Sequence, residues 1–363
     1  MLVTQLLLVQ FALAVAHPIG VAAEHGNRQS PITLWLEQYP QGSPSARWNS
    51  AMAYDSNRSV CVLFSGYTQV TGLPGDTWEW DGTAWTLRTV FGAPPRKVHA
   101  MAFDSSRAKT VLFGGTNDDG YLGDTWEWDG NSWMDRGTTG PSARYSHAMA
   151  YDSNRGKTVL FGGYNPTGLW LSDTWEWDGV SWTNRMVSGP SARNAHAMAY
   201  DASRGVTVLF GGVGSAPEPL GDTWEWDGFT WEQRSVSGPT PRVYHAMTVD
   251  HNRGITILFG GASDTIGTSL LGDTWEWNGS VWAMIHENGP SPRVSPAMAF
   301  AIDRTETVLF GGFGPIPQND TWLLRTYAPG QIPALGIAGL VILLTGIAVA
   351  GVSILRRRGF GRV

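Results

Sequence analysis

Three observations predict an all-β chain folded as a six-bladed β-propeller. One tripeptide returns six times at nearly constant spacing, a glycine pair tracks it, and an Asp-Gly turn joins two strand-sized segments beside it. The tripeptide is Asp-Thr-Trp, with its tryptophans at Trp78, Trp126, Trp175, Trp224, Trp275 and Trp322, at intervals of 48, 49, 49, 51 and 47 residues. Leu-Phe-Gly-Gly accompanies it through Phe113, Phe161, Phe210, Phe259 and Phe310, and the first copy reads Leu63-Phe64-Ser65-Gly66. A repeat of about 40–50 residues marks a propeller rather than a helical solenoid when each unit holds four short strands.

The third copy shows those strands in order. His147-Ala148-Met149-Ala150-Tyr151 leads into the turn Asp152-Ser153-Asn154-Arg155-Gly156, and Thr158-Val159-Leu160-Phe161 runs into Gly162-Gly163. After a loop comes Asp173-Thr174-Trp175-Glu176-Trp177, which turns at Asp178-Gly179 into Ser181-Trp182-Thr183-Asn184-Arg185. Asp-Gly between strands is a hairpin signal because glycine accepts the positive φ of tight turns. Glu79, Glu127, Glu176 and Glu225 in the third strands are expected to face Arg88, Arg136, Arg185 and Arg234 in the fourth. In the sixth unit Leu323 and Gln38 hold these places, and Glu276 keeps its acid opposite Ile285.

The sixth unit stops at Asp320-Thr321-Trp322-Leu323-Leu324, without a fourth strand of its own. The missing piece stands before the first unit as Ile32-Thr33-Leu34-Trp35-Leu36, which aligns with Ser181-Trp182. The N-terminal strand is therefore expected to complete the last blade and close the ring, which removes two exposed sheet edges.

The glycine pair after the second strand and the tryptophan of the fourth resemble Kelch repeats, over roughly residues 32–327. That resemblance implies a Kelch-type propeller and says little about activity. Galactose oxidase, a Kelch-bladed copper enzyme, uses a thioether-linked cysteine, and Cys61 is the one cysteine of this chain. No tyrosine-pair motif accompanies Cys61. It stands between Val60 and Val62, as a small apolar filler would. No cofactor is expected.

Both ends address a membrane. Leu2 to Ala16 is an apolar run followed by small residues at Val21-Ala22-Ala23, with Ala14-Val15-Ala16 as a second cleavage candidate, so residues 1–23 read as a secretory signal and 24–31 as a leader. After a spacer at 328–336, Ile337 to Leu355 carries no charge and is long enough to span a bilayer as a helix. Arg356, Arg357 and Arg358 open a basic tail at 356–363, which predicts a cytoplasmic C-terminus and an extracytoplasmic propeller. Ile332-Pro333-Ala334-Leu335 ahead of the span resembles bacterial sorting tails whose motif reads Ile-Pro-Thr-Leu, with alanine in place of threonine.

Lys and Arg number 25 against 31 Asp and Glu, a net charge of −6. Four of the arginines (Arg356, Arg357, Arg358, Arg362) sit in the acid-free tail, which leaves 21 against 31, or −10, for the rest. Such a body repels polyanions, so nucleic acid is not an expected partner.

Two constellations carry candidate chemistry. His99, His147, His196 and His245 hold one position in four units, with Ser50 and Pro296 in the other two, and each follows an arginine by three residues. A ring of neutral imidazoles is a weak metal candidate, but a group repeated in every blade more often does the same local job each time. The Asp-Thr-Trp-Glu-Trp segments do not gather the several oxygens on one turn that calcium needs. The loops after the second strands, by contrast, differ in length and chemistry while the strands repeat. They present Tyr67; Asp118, Asp119 and Tyr121; Tyr164, Asn165 and Trp170; Glu218; Asp264; Phe313 and Gln318. Variable loops on a rigid frame are where binding concentrates. The expected function is membrane-anchored recognition of a protein or glycan; the alternatives are a propeller enzyme with a channel-mouth site and a purely structural envelope or adhesion protein.

Overall fold

The computed structural model describes residues 31–88, 92–286 and 289–328. Thr33–Thr326 forms one compact unit; a second comprises Met1–Ile32 and Tyr327–Val363. The expected signal, span and basic tail lie outside the described residues. No helix among the described residues is long and apolar enough to cross a membrane.

The Thr33–Thr326 unit is six four-stranded sheets. Five are continuous in sequence. In the third blade the strands are Ala148–Asp152, Lys157–Phe161, Thr174–Trp177 and Trp182–Asn184, paired antiparallel in that order. The sixth blade takes Ala297–Ala301, Glu306–Phe310 and Thr321–Tyr327 from the C-terminal side, and Ile32–Gln38 as its outer strand. The innermost strands of consecutive blades touch in a closed cycle in which the sixth meets the first. The six-bladed ring and its closure by the N-terminal strand are therefore as the repeat predicted.

The core is distributed. Each blade interface holds its own cluster of buried apolar side chains, for example Val159, Phe161, Met198, Leu209, Trp226 and Trp231 between the third and fourth blades. Cys61 is fully buried in the cluster that joins the sixth blade to the first. Burial pushes its thiol up to about 12, so it packs as a small apolar group.

The tryptophan that opens each fourth strand bridges backwards. Trp133, Trp182, Trp231 and Trp282 donate Nε1–H to Thr77, Thr125, Thr174 and Thr223 of the preceding blade, each at 2.9 Å. Trp85 does so to Thr321 across the closure, and Trp35 to Thr274, both at 2.9 Å. The threonine and the tryptophan of the repeat are thus one inter-blade bond, made six times.

The expected glutamate–arginine pairs form: Arg136 lies 3.1 Å from Glu127 and Arg185 3.4 Å from Glu176. Arg88–Glu79 and Arg234–Glu225 are looser, at 3.7 and 3.8 Å. The shorter partner comes from the turn between the first two strands. Arg107 reaches Glu127 and Arg155 reaches Glu176, each at 2.7 Å, while also holding Asp104 and Asp152. Arg253 does the same for Glu276, which accounts for its survival opposite an apolar residue. The sixth blade, which lacks the third-strand glutamate, moves the acid to the second strand. There Glu306, fully buried, meets Arg304 and Arg325.

Candidate recognition face

The connection between blades and the loop after the second strand share one end of the blades. Trp48 pairs with Tyr67, Lys97 with Thr116, Tyr145 with Tyr164, Asn194 with Val213, Val243 with Ala262 and Val294 with Phe313. What fixes this end is an arginine clamp. Arg47, Arg96, Arg144, Arg193, Arg242 and Arg293 are at most 1% exposed. Each grips the aspartate of an Asp-Thr-Trp motif with both terminal nitrogens, at 2.6–2.8 Å for Arg144 and Asp173. The same Nη1 donates to a carbonyl of the glycine pair, Gly162 in that blade at 2.9 Å. The motif aspartate also accepts Nε1–H from its own tryptophan, Trp175 to Asp173 at 2.7 Å. The fork of a guanidinium matches a carboxylate's two oxygens, and a buried pair of this kind needs every proton satisfied. The repeated arginine therefore serves the aspartate about 29 residues on, and not the histidine three residues on.

Two positions after each clamp arginine stands a residue at positive φ: Asn49, Val98, Ser146, Ala195, Tyr244 and Ser295, between 51° and 58°. None is glycine, and valine there is a genuine strain. A closed circle of main-chain hydrogen bonds holds them. Val98 N donates to Asn49 O, Ser146 to Val98, Ala195 to Ser146, Tyr244 to Ala195, Ser295 to Tyr244 and Asn49 back to Ser295, at 2.7–3.3 Å. The left-handed turn tilts each N–H toward its neighbour, so the strain of one blade is held by the next.

The four histidines follow directly behind that circle. Their rings are 5–6% exposed and meet Phe64, Phe113, Phe161 and Phe210 of the preceding blade edge-to-face at 5.5–5.6 Å. No ring nitrogen makes a hydrogen bond of normal geometry; the carbonyls of Phe113, Phe161 and Phe210 offer His147, His196 and His245 only a weak polar contact. Burial, then the adjacent clamp arginine, holds His147 and His245 at about 3, and His99 and His196 well below the ordinary range. Among the described residues no three His, Cys, Asp or Glu side chains are placed to hold a metal ion.

Outside the circle the structure gathers aromatics. Trp48 packs on Tyr67 and Phe313 at 4.9 and 5.0 Å between centroids. Tyr121 packs on Tyr145, Tyr145 on Tyr164, and Tyr164 on Trp170, at 5.0, 5.7 and 5.1 Å. Between these rings and the loops lie two hollows of about 630 and 530 Å³, both lined by Tyr121, Tyr145 and Tyr244. Of the loop residues singled out in the sequence, Tyr67 and Phe313 thus meet on Trp48, and Tyr121, Tyr164 and Trp170 gather with Tyr145. Asn165 and Asp264 are turned inward on their own loops: Asn165 accepts from Thr167 and Leu169, and Asp264 from Ile266, Thr268 and Ser269. Gln318 likewise donates to Ile316 O. Asp118, Asp119 and Glu218 are exposed on loop tips and line neither hollow.

Trp48, Lys97, Tyr145 and Tyr244 are the lining residues that sequence reasoning missed. Their signal lies in the two places between the repeated arginine and the histidine position. These read Trp-Asn, Lys-Val, Tyr-Ser, Asn-Ala, Val-Tyr and Val-Ser while everything beside them repeats.

Fold and face together define a six-bladed propeller whose variable loops gather at one end. Residues 178–328 match the family described as the KLHDC2/KLHL20/DRC7 Kelch-repeats domain. That similarity and the six four-stranded blades bear out the Kelch-type propeller expected from the repeat. No curated protein matches the chain.

Proposed function

We propose that the chain is a protein-recognition module that takes a segment of its partner in the aromatic trough of the loop face. The observation that carries this reading is the pair of aromatic clusters on this face, Phe313–Trp48–Tyr67 and Tyr121–Tyr145–Tyr164–Trp170, supplied by four of the six repeat units. Its rim supports it: Val70, Leu169, Ile266 and Ile316, one on each of four loops, are 92, 58, 80 and 66% exposed. Interface centres are enriched in such aromatics, and solvent-facing apolar tips gain by being covered. The blade strands, already committed to the core, supply a fixed platform.

We further read the propeller as exported and membrane-held. The support is the apolar run Leu2 to Ala16, the uncharged stretch Ile337 to Leu355 and the arginines that follow it. Protease added to intact cells expressing the full chain should digest the propeller and spare a C-terminal tag; protection of both would overturn this orientation. The recognition reading is tested by panning a displayed peptide library on the full chain beside Tyr164→Ala and Trp170→Ala, with a glycan array in parallel. Enriched peptides should lose at least about ten-fold in affinity on either variant, as central aromatic anchors do. Peptide binding indifferent to both variants would sink the reading. Binding on the array alone would make a glycan the ligand.

A further inference from the structure

Around the trough carboxylates outnumber cations, and the second hollow has no cation in its lining. Tyr121, Tyr145 and Tyr244 belong to both hollows, so the two run together across the loop face. The clamp arginines are bound to the motif aspartates. Among the described residues of the loops and connections, that leaves Lys97 as the single unclamped cation, 4.8 Å over the Tyr67 ring. Four carboxylates of the same segments stay outside the clamps. Asp118 and Asp119 form the tip of a ribbon in which Thr116 pairs with Tyr121. Glu218 follows Pro217 and Asp264 precedes Thr265, both residues being part of the second hollow's wall. Hydrogen bonds from Ser269 and Thr268 hold the Asp264 carboxyl well below the usual carboxylate range, so it is charged at any physiological pH. The second hollow itself is floored by Tyr121, Tyr145, Tyr164, Tyr244 and Trp170, with no cation in its lining.

From this charge pattern we infer that the trough takes a basic, extended segment: a lysine or arginine head over the tyrosine cluster, with neighbouring cations facing the acidic loops. It rests on the reading of this face as a protein-recognition site. Aromatic faces attract cations, the more so when water is partly excluded. Carboxylates on three separate loops add attraction for the same charge and repel an acidic segment, which is how an interface sets specificity and association rate.

The test is fluorescence anisotropy on the full chain with three labelled octapeptides of one Gly-Ser frame, carrying arginines, glutamates or no charge. The arginine peptide should bind, with affinity falling as salt rises, and the other two should not. Replacing Asp118 and Asp119 by Asn together with Glu218→Gln should weaken it about ten-fold. Removing three charges at the opposite hairpin turns, Asp129→Asn with Asp178→Asn and Asp227→Asn, should change it less than about two-fold. Trp170→Ala and Tyr164→Ala should abolish it while the melting temperature holds. Equal weakening by both triple variants would reduce the effect to bulk charge and overturn the inference. Library peptides that need Trp170 and Tyr164 yet are acidic or uncharged would also overturn it and leave the recognition reading standing. Binding of every peptide without need of those aromatics would remove both.

Discussion

His147 lies between blades, edge-on to Phe113 and tight against Gly114, where an added Cβ would come within 3.0 Å of the imidazole Cε1. The closer obstacle is the Arg144 carbonyl at 2.7 Å, a contact that Gly260 and Gly311 repeat with Arg293 and Arg47 where no histidine is present; Gly114 also sits at φ +64°. In the first blade Ser65 tolerates the same conformation at φ 48° because its hydroxyl accepts from Arg96 N at 3.0 Å. The burial that positions the four histidines also makes the fold acid-sensitive. An unfolded imidazole titrates near 6.5, whereas His147 and His245 are held at about 3 in the fold. The unfolded chain therefore binds more protons below that ordinary value. Stability is full above about pH 7 and falls as pH drops through 6.5 toward 3, by up to ~1.4 kcal/mol per pH unit for each histidine. Urea midpoints measured between pH 7 and 5, above the carboxylate range, should fall steeply for the native chain. His147→Gln should flatten that slope; an unaltered slope would show that the imidazole is not buried neutral.

The third strand shows how one repeated element acquires unequal duties. Trp128, Trp177, Trp226 and Trp277 donate Nε1–H to the glutamate of the preceding blade, at 3.2, 3.1, 3.3 and 2.9 Å. Trp80 follows the sixth blade, where Leu323 replaces that glutamate, and its Nε1 is buried without a partner. Tryptophan to phenylalanine deletes ring area at both sites but removes a hydrogen bond only at one. Trp128→Phe should therefore cost about 1–3 kcal/mol more than Trp80→Phe in urea unfolding, because it removes a bond to the charged Glu79, which Arg58 continues to hold. Equal costs would mean that the bond between blades contributes nothing net. The glutamates were visible in the repeat, and so were their fourth-strand arginines. The stronger turn arginines were not, because Arg107 and Glu127 are 20 residues apart and meet only once three strands have paired.

At the scale of the whole ring, closure rests on the outer strand Ile32–Gln38, seated in a blade whose other strands lie nearly 300 residues away. Trp35 reproduces there the bond to Thr274 that every other junction makes, and packs on Phe259 at 5.4 Å. Trp35→Ala should lower stability by about 3 kcal/mol and render the sixth blade the first to exchange its amide protons. It should cost less than Trp182→Ala, since Trp35 is half-buried and Trp182 buried. A neutral Trp35→Ala, with exchange unchanged in the sixth blade, would show that the ring closes without this strand. Because each interface carries its own core, the blades hold the loop face rigid while the loops differ.

By itself the sequence determined the number of blades, the order of strands within each and the donation of the first strand to the last blade. Each of those follows from a local pattern repeated along the chain, and a period survives without knowledge of neighbours. Tertiary structure alone decided which arginine grips which aspartate, that six non-glycine residues share a strained turn in one hydrogen-bonded circle, and that Trp48, Tyr145 and Tyr244 join the loop aromatics. The clamps join residues of one repeat and form only once its strands have paired. The circle links different blades around an axis and exists only after the ring has closed, so no segment of the chain carries it alone.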